Sequence, residues 1–280
     1  MKKLAFLCVF VPLCFVPSAS AQAPLPTELP TVRFNSGQDI VPYFEGWIRN
    51  PDGTFDLVFG YFNRNWKQEL VIPPGPGNKI EPGAPDQGQP TYFLPRRQRW
   101  IYRLRVPADF GNKEVSWTIT ANGRSETAYG NLLASEEIND RVVSSNGNLD
   151  PGEGDPNEPP SIIIPKNLNA TVSTPLQLQA TVRDDGLPKP RPPKPARATS
   201  SGAFGAQINS SPAQQRGLTL RWIQYGGPGK ARFESAEPVP VTNGQTSTTV
   251  RFTEPGTYRL RAIANDGALS TTTDVSVTVK

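Results

Sequence analysis

Alternation of apolar and polar side chains with a period of two is the feature that most constrains this chain. Such alternation is typical of a half-buried β-strand, because successive side chains of a strand point to opposite faces. Apolar stripes of this kind recur along the chain, at Phe55, Leu57, Phe59 and Tyr61, at Trp100, Tyr102, Leu104 and Val106, at Val115, Trp117 and Ile119, at Leu176, Leu178, Ala180 and Val182, and at Val275, Val277 and Val279. Helical periodicity is nowhere sustained. The pattern predicts an all-β protein.

Turn-forming residues divide these stripes into two groups. The 24 glycines and 31 prolines indicate many short strands joined by turns, and Asn122-Gly123 is a two-residue hairpin signal. We expect two antiparallel β-sandwich domains in tandem, over residues 30–140 and 161–280. Residues 141–160 are rich in Gly, Pro, Asn and acids, and they predict a linker that is extended where prolines dominate.

The N-terminus has the composition of an export signal. Lys2 and Lys3 precede an apolar run that ends at Val16, and Ala19-Ser20-Ala21 supplies a small-residue cleavage pattern. The apolar run is shorter than the ~20 residues that a membrane-spanning helix needs. We therefore expect residues 1–21 to be a cleaved signal peptide of a bacterial extracytoplasmic protein, periplasmic or secreted, with no transmembrane segment in the mature chain.

Composition argues against most enzyme chemistry. The chain has no histidine, and both cysteines, Cys8 and Cys14, lie in the expected signal peptide. The commonest general base, the commonest metal ligand and any thiolate nucleophile are thus missing from the mature chain. Its net charge of +2, after the loss of Lys2 and Lys3, predicts no general attraction to nucleic acid. We expect a protein that is not an enzyme.

Glycan-active enzymes are the one enzyme class that this composition still permits. A glycosidase needs only two carboxylates at a fixed separation, so a histidine-free glycan hydrolase or lyase stays open. The acids of the first domain that could supply such a pair are Glu45, Asp56, Asp109, Glu114 and Glu126. The alternative is that they are ordinary surface carboxylates.

The second domain resembles a known fold family. Its segment 255–260 reads Pro-Gly-Thr-Tyr-Arg-Leu and is followed by Asn265-Asp266-Gly267, which looks like the last hairpin of a PKD or cadherin-like immunoglobulin-fold domain. Tyr258 stands two residues before Leu260, as the corner tyrosine of that fold stands two before its second core cysteine, and Trp222 is similar to the buried tryptophan of the third strand. The first domain resembles no characterised family.

The second domain departs from this family over residues 186–217. This segment holds a proline-rich basic run with Lys189, Arg191, Lys194 and Arg197, followed by a Ser/Ala/Gly/Gln-rich tract. We expect polyproline II structure in the first part and disorder in the rest.

The family resemblance implies a calcium site near the domain junction. The matching acids are Asp184 and Asp185 after the second strand, Asp266 in the last hairpin and Glu158 at the domain entrance. Calcium takes about six to eight oxygen ligands, which such loop acids supply. The alternative is that Asp184-Asp185-Gly186 and Asn265-Asp266-Gly267 are plain turns, in which Asp and Asn bond their own backbone.

A candidate ligand site lies in the first domain. Trp66 fits no inward stripe and follows Asn63-Arg64-Asn65, a combination of a flat ring and polar groups on which a sugar could stack and form hydrogen bonds. The alternative is that Trp66 covers the open end of the sandwich. The Pro/Gly-rich stretch 72–91 has no apolar period of its own and predicts a long loop, and such loops are usually functional or mobile.

These observations lead to three functional hypotheses. The first is a non-catalytic adhesion, scaffold or spacer module outside the cytoplasm, with a cell-surface protein or polysaccharide as partner. The second is a carbohydrate-binding protein acting through the first domain, and the third is the histidine-free glycan-active enzyme. Calcium as a cofactor is compatible with the first two.

Overall fold

The computed structural model describes residues 33–148, 155–189 and 217–280. The expected signal peptide at 1–21, part of the expected linker and most of the basic proline-rich segment lie outside these ranges. The regular secondary structure of the described chain is almost entirely strand. None of its described helices is both long enough and apolar enough to cross a bilayer.

The first sandwich packs two principal sheets around one core. Its strands are β1 (Ile40–Arg49), β2 (Phe55–Asn63), β3 (Leu70–Val71), β4 (Asn78–Glu81), β5 (Tyr92–Phe93), β6 (Arg96–Val106), β7 (Val115–Ala121), β8 (Arg124–Gly130) and β9 (Glu137–Ile138). One sheet has the order β6-β2-β1-β9, the other has the order β4-β7-β8, and β3 pairs with β5. All pairs are antiparallel except β1 with β9. A short helix, α1 (Asp140–Ser144), ends this part of the chain.

Predicted stripes fill this first core. Val115, Trp117 and Ile119 are buried while their neighbours in β7 are less so, as the alternation requires. The indole Nε1–H of Trp117 donates to Asn78 Oδ1 at 2.9 Å, which satisfies the ring's polar atom inside the core. Asn122 and Gly123 both have positive φ, as the predicted β7–β8 hairpin turn demands.

The second sandwich also has two sheets. Its strands are β10 (Ser161–Ile163), β11 (Asn167–Ala170), β12 (Leu176–Arg183), β13 (Thr219–Gly226), β14 (Ala231–Phe233), β15 (Val239–Pro240), β16 (Gln245–Phe252), β17 (Gly256–Asn265) and β18 (Ser270–Val279). The sheets have the orders β10-β12-β16-β14 and β11-β18-β17-β13-β15. Only β11 and β18 pair in parallel.

The immunoglobulin-like corner predicted for this sandwich is confirmed. Tyr258 is buried, and its hydroxyl donates to the Glu254 carbonyl at 2.9 Å, which ties the turn before β17 to the strand. Leu260 occupies the place of the core cysteine with no exposed surface, and Trp222 is buried in the same core. The two sheets and this corner make the domain immunoglobulin-like.

The two sandwiches are packed directly against each other. Strand β13 is buried on both faces: Trp222 points into the second core, whereas Ile223 and Tyr225 belong to the core of the first sandwich. The Tyr225 hydroxyl donates to the Gly88 carbonyl at 2.8 Å, and its backbone carbonyl accepts from Thr91 N–H at 3.1 Å. The linker pattern at 141–160 gives no hint of this shared core.

The Pro/Gly-rich stretch 72–91 has a structural role at this contact. It contains β4, and the buried amide of Asn78 donates to the carbonyls of Ile72 and Pro90 at 3.0 and 2.8 Å. Its end carries Gly88 and Thr91, both of which bond to the second sandwich. The stretch therefore fixes one sandwich onto the other.

Candidate functional site

The amides beside Trp66 are engaged within the protein. Asn63 and Asn65 have no exposed surface. Asn63 donates to the Gln68 and Phe93 carbonyls, and its Oδ1 accepts from Asn65. Because these amide groups stabilise the loop that follows β2, they are not presented to a ligand.

Trp66 itself is 39 % exposed, but cations cover it. The guanidinium groups of Arg33 and Arg96 stack at 4.4 and 4.3 Å from its ring centroid. Arg64 points to the buried Asp39, with Nη1 3.0 Å from its carboxylate. The structure thus brings the four predicted residues together as a packed loop with a cation-covered ring, which is a poor platform for a sugar.

Two of the glycosidase candidates are buried ion-pair partners. The Glu45 carboxylate lies between Arg97 and Arg99, and Asp56 is held by Arg105 at 2.8 Å. Burial alone would raise the pKa of Asp56, but hydrogen bonds from Arg105 and Asn50 lower it below its ordinary value. Asp56 is therefore suited to a structural charge pair and not to donating a proton.

Two of the predicted calcium ligands come together at the junction of the sandwiches. Asp184 begins the loop after β12, and Asp266 lies in the β17–β18 hairpin. Burial raises the pKa of Asp184, and the nearby Asp266 carboxylate raises it further, against a hydrogen bond from the Gly186 N–H. Ionisation of Asp184 is therefore costly in the folded protein.

The other two predicted ligands are placed differently. Asp185 is exposed, and both of its oxygens accept backbone N–H groups, from Glu158 and Leu187. These bonds lower the pKa of Asp185. Glu158 contacts Asp185 by donating its backbone N–H, and the Glu158 side chain is exposed. Across the described ranges, no three acidic, histidine or cysteine side chains form a metal-binding group.

The oxygens left at this junction fit calcium in chemical type. Asp184 Oδ1, Asp266 Oδ2 and Asn157 Oδ1 are buried and have no hydrogen-bond partner among the described residues. Asn157 adjoins Glu158, which contacts the neighbour of Asp184. A buried oxygen without a partner costs free energy, and carboxylate and amide oxygens are the ligands that calcium prefers. Backbone carbonyls and water would complete the coordination.

A larger site, which the sequence did not predict, is the cleft between the two sandwiches. Its cavity has a volume of ≈ 890 Å³, within the ~300–1,000 Å³ typical of small-molecule sites. One wall is β6, a second is α1 with the turn after it, and the third consists of β13, β17 and β18. We call it the interdomain cleft. Its charged lining residues are Arg97, Arg99, Arg103, Arg261 and Asp140.

A bulge in β6 forms the first wall. The pairing of β6 with β2 shifts between Phe59 and Tyr61, opposite Gly60. A side chain at Gly60 would lie 2.7 Å from the Gln98 carbonyl, so only glycine permits this approach. The interpretation of Trp100 as part of an inward stripe was wrong, because the bulge gives it a φ of +55° and turns it into the cleft, half-buried.

Neighbouring side chains hold Trp100 in this unfavourable backbone conformation. Its indole Nε1–H donates to Asn146 Oδ1 at 3.2 Å, and the Arg99 guanidinium stacks 4.4 Å from its ring. Arg99 in turn donates to the Asn146 carbonyl at 2.9 Å and lies so close to Gly147 that a side chain there would clash. Backbone strain maintained by its surroundings is typical of functional positions.

No family model matches the chain, and no curated protein matches it. Among solved structures, the PKD domain of human KIAA0319 is 15% identical, covering 47% of this chain and 92% of its own, with a TM-score of 0.24. A conjugative transposon lipoprotein from Bacteroides eggerthii is 10% identical, with a TM-score of 0.26, and the match covers 42% of this chain and 96% of the lipoprotein chain. Titin domains z1z2 in complex with telethonin are 10% identical, with a TM-score of 0.25, and the match covers 85% of this chain and 90% of the titin chain. Likenesses this slight carry no argument, and the immunoglobulin-like assignment depends on the strand order and the tyrosine corner of this chain.

Proposed function

We propose that this protein is an exported, non-catalytic module that acts outside the cytoplasm as a rigid pair of β-sandwiches in adhesion or scaffolding. The observation that carries the proposal is the shared core, in which Ile223 and Tyr225 of the second sandwich complete the first. A rigid pair presents its surfaces at a fixed angle, as a load-bearing or spacing element requires. The N-terminal signal pattern supports export.

The absence of catalytic residue types supports a non-catalytic role. Histidine is missing, and both cysteines lie in the expected signal peptide. The buried carboxylates Glu45 and Asp56 are paired with arginines.

Fractionation of cells that express the full chain tests the proposal. We expect mature protein beginning at Gln22 outside the cytoplasm, retained on a purified cell-envelope fraction. Unprocessed protein in the cytosol, or a processed protein that does not sediment with the envelope at any salt concentration, would contradict it. Reducing-end release from envelope polysaccharide would instead favour the enzyme hypothesis.

We further propose that a calcium ion stabilises the junction, held by Asp184, Asp266 and Asn157. The ion would neutralise the two adjacent carboxylates and satisfy the partnerless oxygens. Calcium that binds only the folded state adds about 2.7 kcal/mol of stability at a concentration one hundred times its Kd. Melting temperatures in millimolar calcium and in EDTA measure this effect.

A matched pair of variants makes the calcium test specific. Asp184→Asn should abolish the difference between calcium and EDTA, whereas Asp185→Asn should keep it, because the Asp185 oxygens already accept backbone N–H groups. In EDTA, Asp184→Asn should be more stable than the parent at pH 7. Because the pKa of Asp184 is raised in the folded state, its ionised form lowers the stability of the fold at pH 7. This destabilisation disappears as the pH falls through the pKa of Asp184. Equal melting temperatures with calcium and EDTA would refute the site.

A further inference from the structure

We propose that the interdomain cleft binds an acidic carbohydrate, an oligosaccharide whose sugar rings carry carboxylates. This goes beyond the proposed adhesion or scaffold role, which needs no small ligand. It also relocates the carbohydrate-binding hypothesis from Trp66 to Trp100. Three features of the cleft carry the inference: its available cationic donors, its preorganised indole and its hydroxyl-rich opposite wall.

The arginines of β6 provide donors for a carboxylate. Arg97 and Arg99 contact Glu45 only at 3.4–3.5 Å, longer than the ~2.7–2.9 Å of a well-formed charged hydrogen bond. Arg103 uses one nitrogen, Nη1, to bind Asp140 at 2.7 Å. A guanidinium has five N–H donors, so each of these three side chains keeps donors for a second anion.

The charges of the lining favour an anionic ligand. Among the residues that the structure describes, four arginines and one carboxylate, Asp140, line the cleft. Glu45 and Asp274 partly balance them, but the Glu45 side chain is only 5 % exposed and Asp274 is occupied by Arg261 in two hydrogen bonds. Arg261 also donates to the Ile101 carbonyl, so it joins the sandwiches while the β6 arginines remain for the ligand.

Trp100 supplies a fixed stacking surface. Its ring is half-buried, and a hydrogen bond to Asn146 and stacking by Arg99 hold it in place before any ligand arrives. Two guanidinium groups stack on Trp66, whereas among the described residues Arg99 alone stacks on Trp100, so one face of this ring carries no cation. The faces of a sugar ring are apolar, so they pack against an indole. A site whose side chains are already ordered loses less conformational entropy on binding.

The remaining lining residues match the hydroxyl groups of a sugar. Neutral polar side chains dominate the helix turn and the wall formed by the second sandwich: Ser144, Ser145, Asn146, Asn148, Asn265, Ser270, Thr271 and Thr272. Hydroxyls and amides both donate and accept, as do sugar hydroxyls. Ser144, Ser145, Asn146, Asn265 and Ser270 already form side-chain hydrogen bonds within the protein, so the remaining neutral polar groups of the lining are Asn148, Thr271 and Thr272. An acidic peptide such as polyglutamate would pair with the arginines but has no ring face to stack on Trp100, so the indole favours the carbohydrate.

Isothermal titration of the full-length mature protein with trigalacturonate, followed also by tryptophan fluorescence, tests the proposal. Its methyl ester, which has the same rings without the charge, is the matched ligand control. We expect measurable binding of trigalacturonate that weakens as salt rises, and at least tenfold weaker binding of the ester. Undetectable binding of trigalacturonate at millimolar concentration, or equal binding of the ester, would overturn the proposal.

Three variants assign binding to the cleft. Trp100→Ala and Arg103→Gln should each weaken binding about tenfold, and Arg103 is exposed enough that its replacement leaves folding intact. Trp66→Ala, which removes the other exposed tryptophan, should change binding less than twofold. Loss of binding in Trp66→Ala with retention in both cleft variants would overturn the proposal, as would equal binding of hexaglutamate. Envelope retention is a separate measurement, so its failure is distinguishable from failure of the cleft.

Discussion

Replacement of Tyr225 by alanine tests whether the two sandwiches depend on each other. The Tyr225 side chain is 3 % exposed and lies in the first core although its backbone belongs to the second sandwich. Truncation of a buried aromatic ring to alanine costs about 3–5 kcal/mol. The Gly88 carbonyl keeps a bond from Arg259, so the lost hydroxyl leaves no partnerless acceptor. For a chain of this size the cost corresponds to a fall in melting temperature of roughly 6–20 °C.

Differential scanning calorimetry measures both the size and the nature of this effect. We expect the parent to unfold in one transition and Tyr225→Ala to show two, with the earlier one belonging to the first sandwich. Tyr129→Ala is the matched control, because Tyr129 is 58 % exposed and its loss should change the free energy of unfolding by less than about 0.5 kcal/mol. A Tyr225→Ala melting curve that matches the Tyr129→Ala curve would refute the shared core.

Three smaller perturbations follow from individual contacts. Gly60→Ala should cost about 1–3 kcal/mol in urea denaturation, because the new Cβ would lie 2.7 Å from the Gln98 carbonyl; a neutral result would contradict the bulge. Tyr258→Phe should cost about 1 kcal/mol by removing the bond to the Glu254 carbonyl, and no change would mean that the corner is not stabilising. Asp56→Asn should lower the free energy of unfolding at pH 7, and its difference from the parent should shrink below pH ~4. The reason is that the stability from a carboxylate with a lowered pKa is lost as the pH falls through that pKa. A difference in the free energy of unfolding that does not depend on pH would exclude the charge pair.

Local patterns predicted most of the fold. The stripe of β7, the Asn122-Gly123 turn and the Tyr258 corner each depend on residues within a few positions of one another, so the sequence contains their full cause. The contact between the sandwiches depends on residues far apart in the chain. The sequence does contain a sign of this contact. Ile223 and Tyr225 make the face of β13 opposite Trp222 apolar, whereas a strand with one face in solvent has polar residues on that face.

The candidate sites were harder to predict for two physical reasons. The bulge places two extra residues in β6, because Gln98 to Tyr102 spans four positions opposite the two from Phe59 to Tyr61. The alternation keeps its parity on either side, but Trp100 lies within the bulge with a positive φ and so leaves the stripe that assigned it to the core. The sequence also cannot distinguish polar residues that bind a ligand beside an aromatic ring from polar residues that stabilise their own loop. Asn63 and Asn65 are of the second kind. Of the four acids matched to the calcium site, the fold brings Asp184 close to Asp266, a proximity that only tertiary structure creates.

Because β13 supplies side chains to a core whose other buried residues lie between Ile40 and Ala128, the N-terminal sandwich has an unfinished interior until the C-terminal one has been made. If the chain is exported from its N-terminus, as proposed, that interior is still incomplete while the second sandwich has yet to emerge. Shortened forms ending before residue 219 would lack Ile223 and Tyr225 and become substrates for proteolysis.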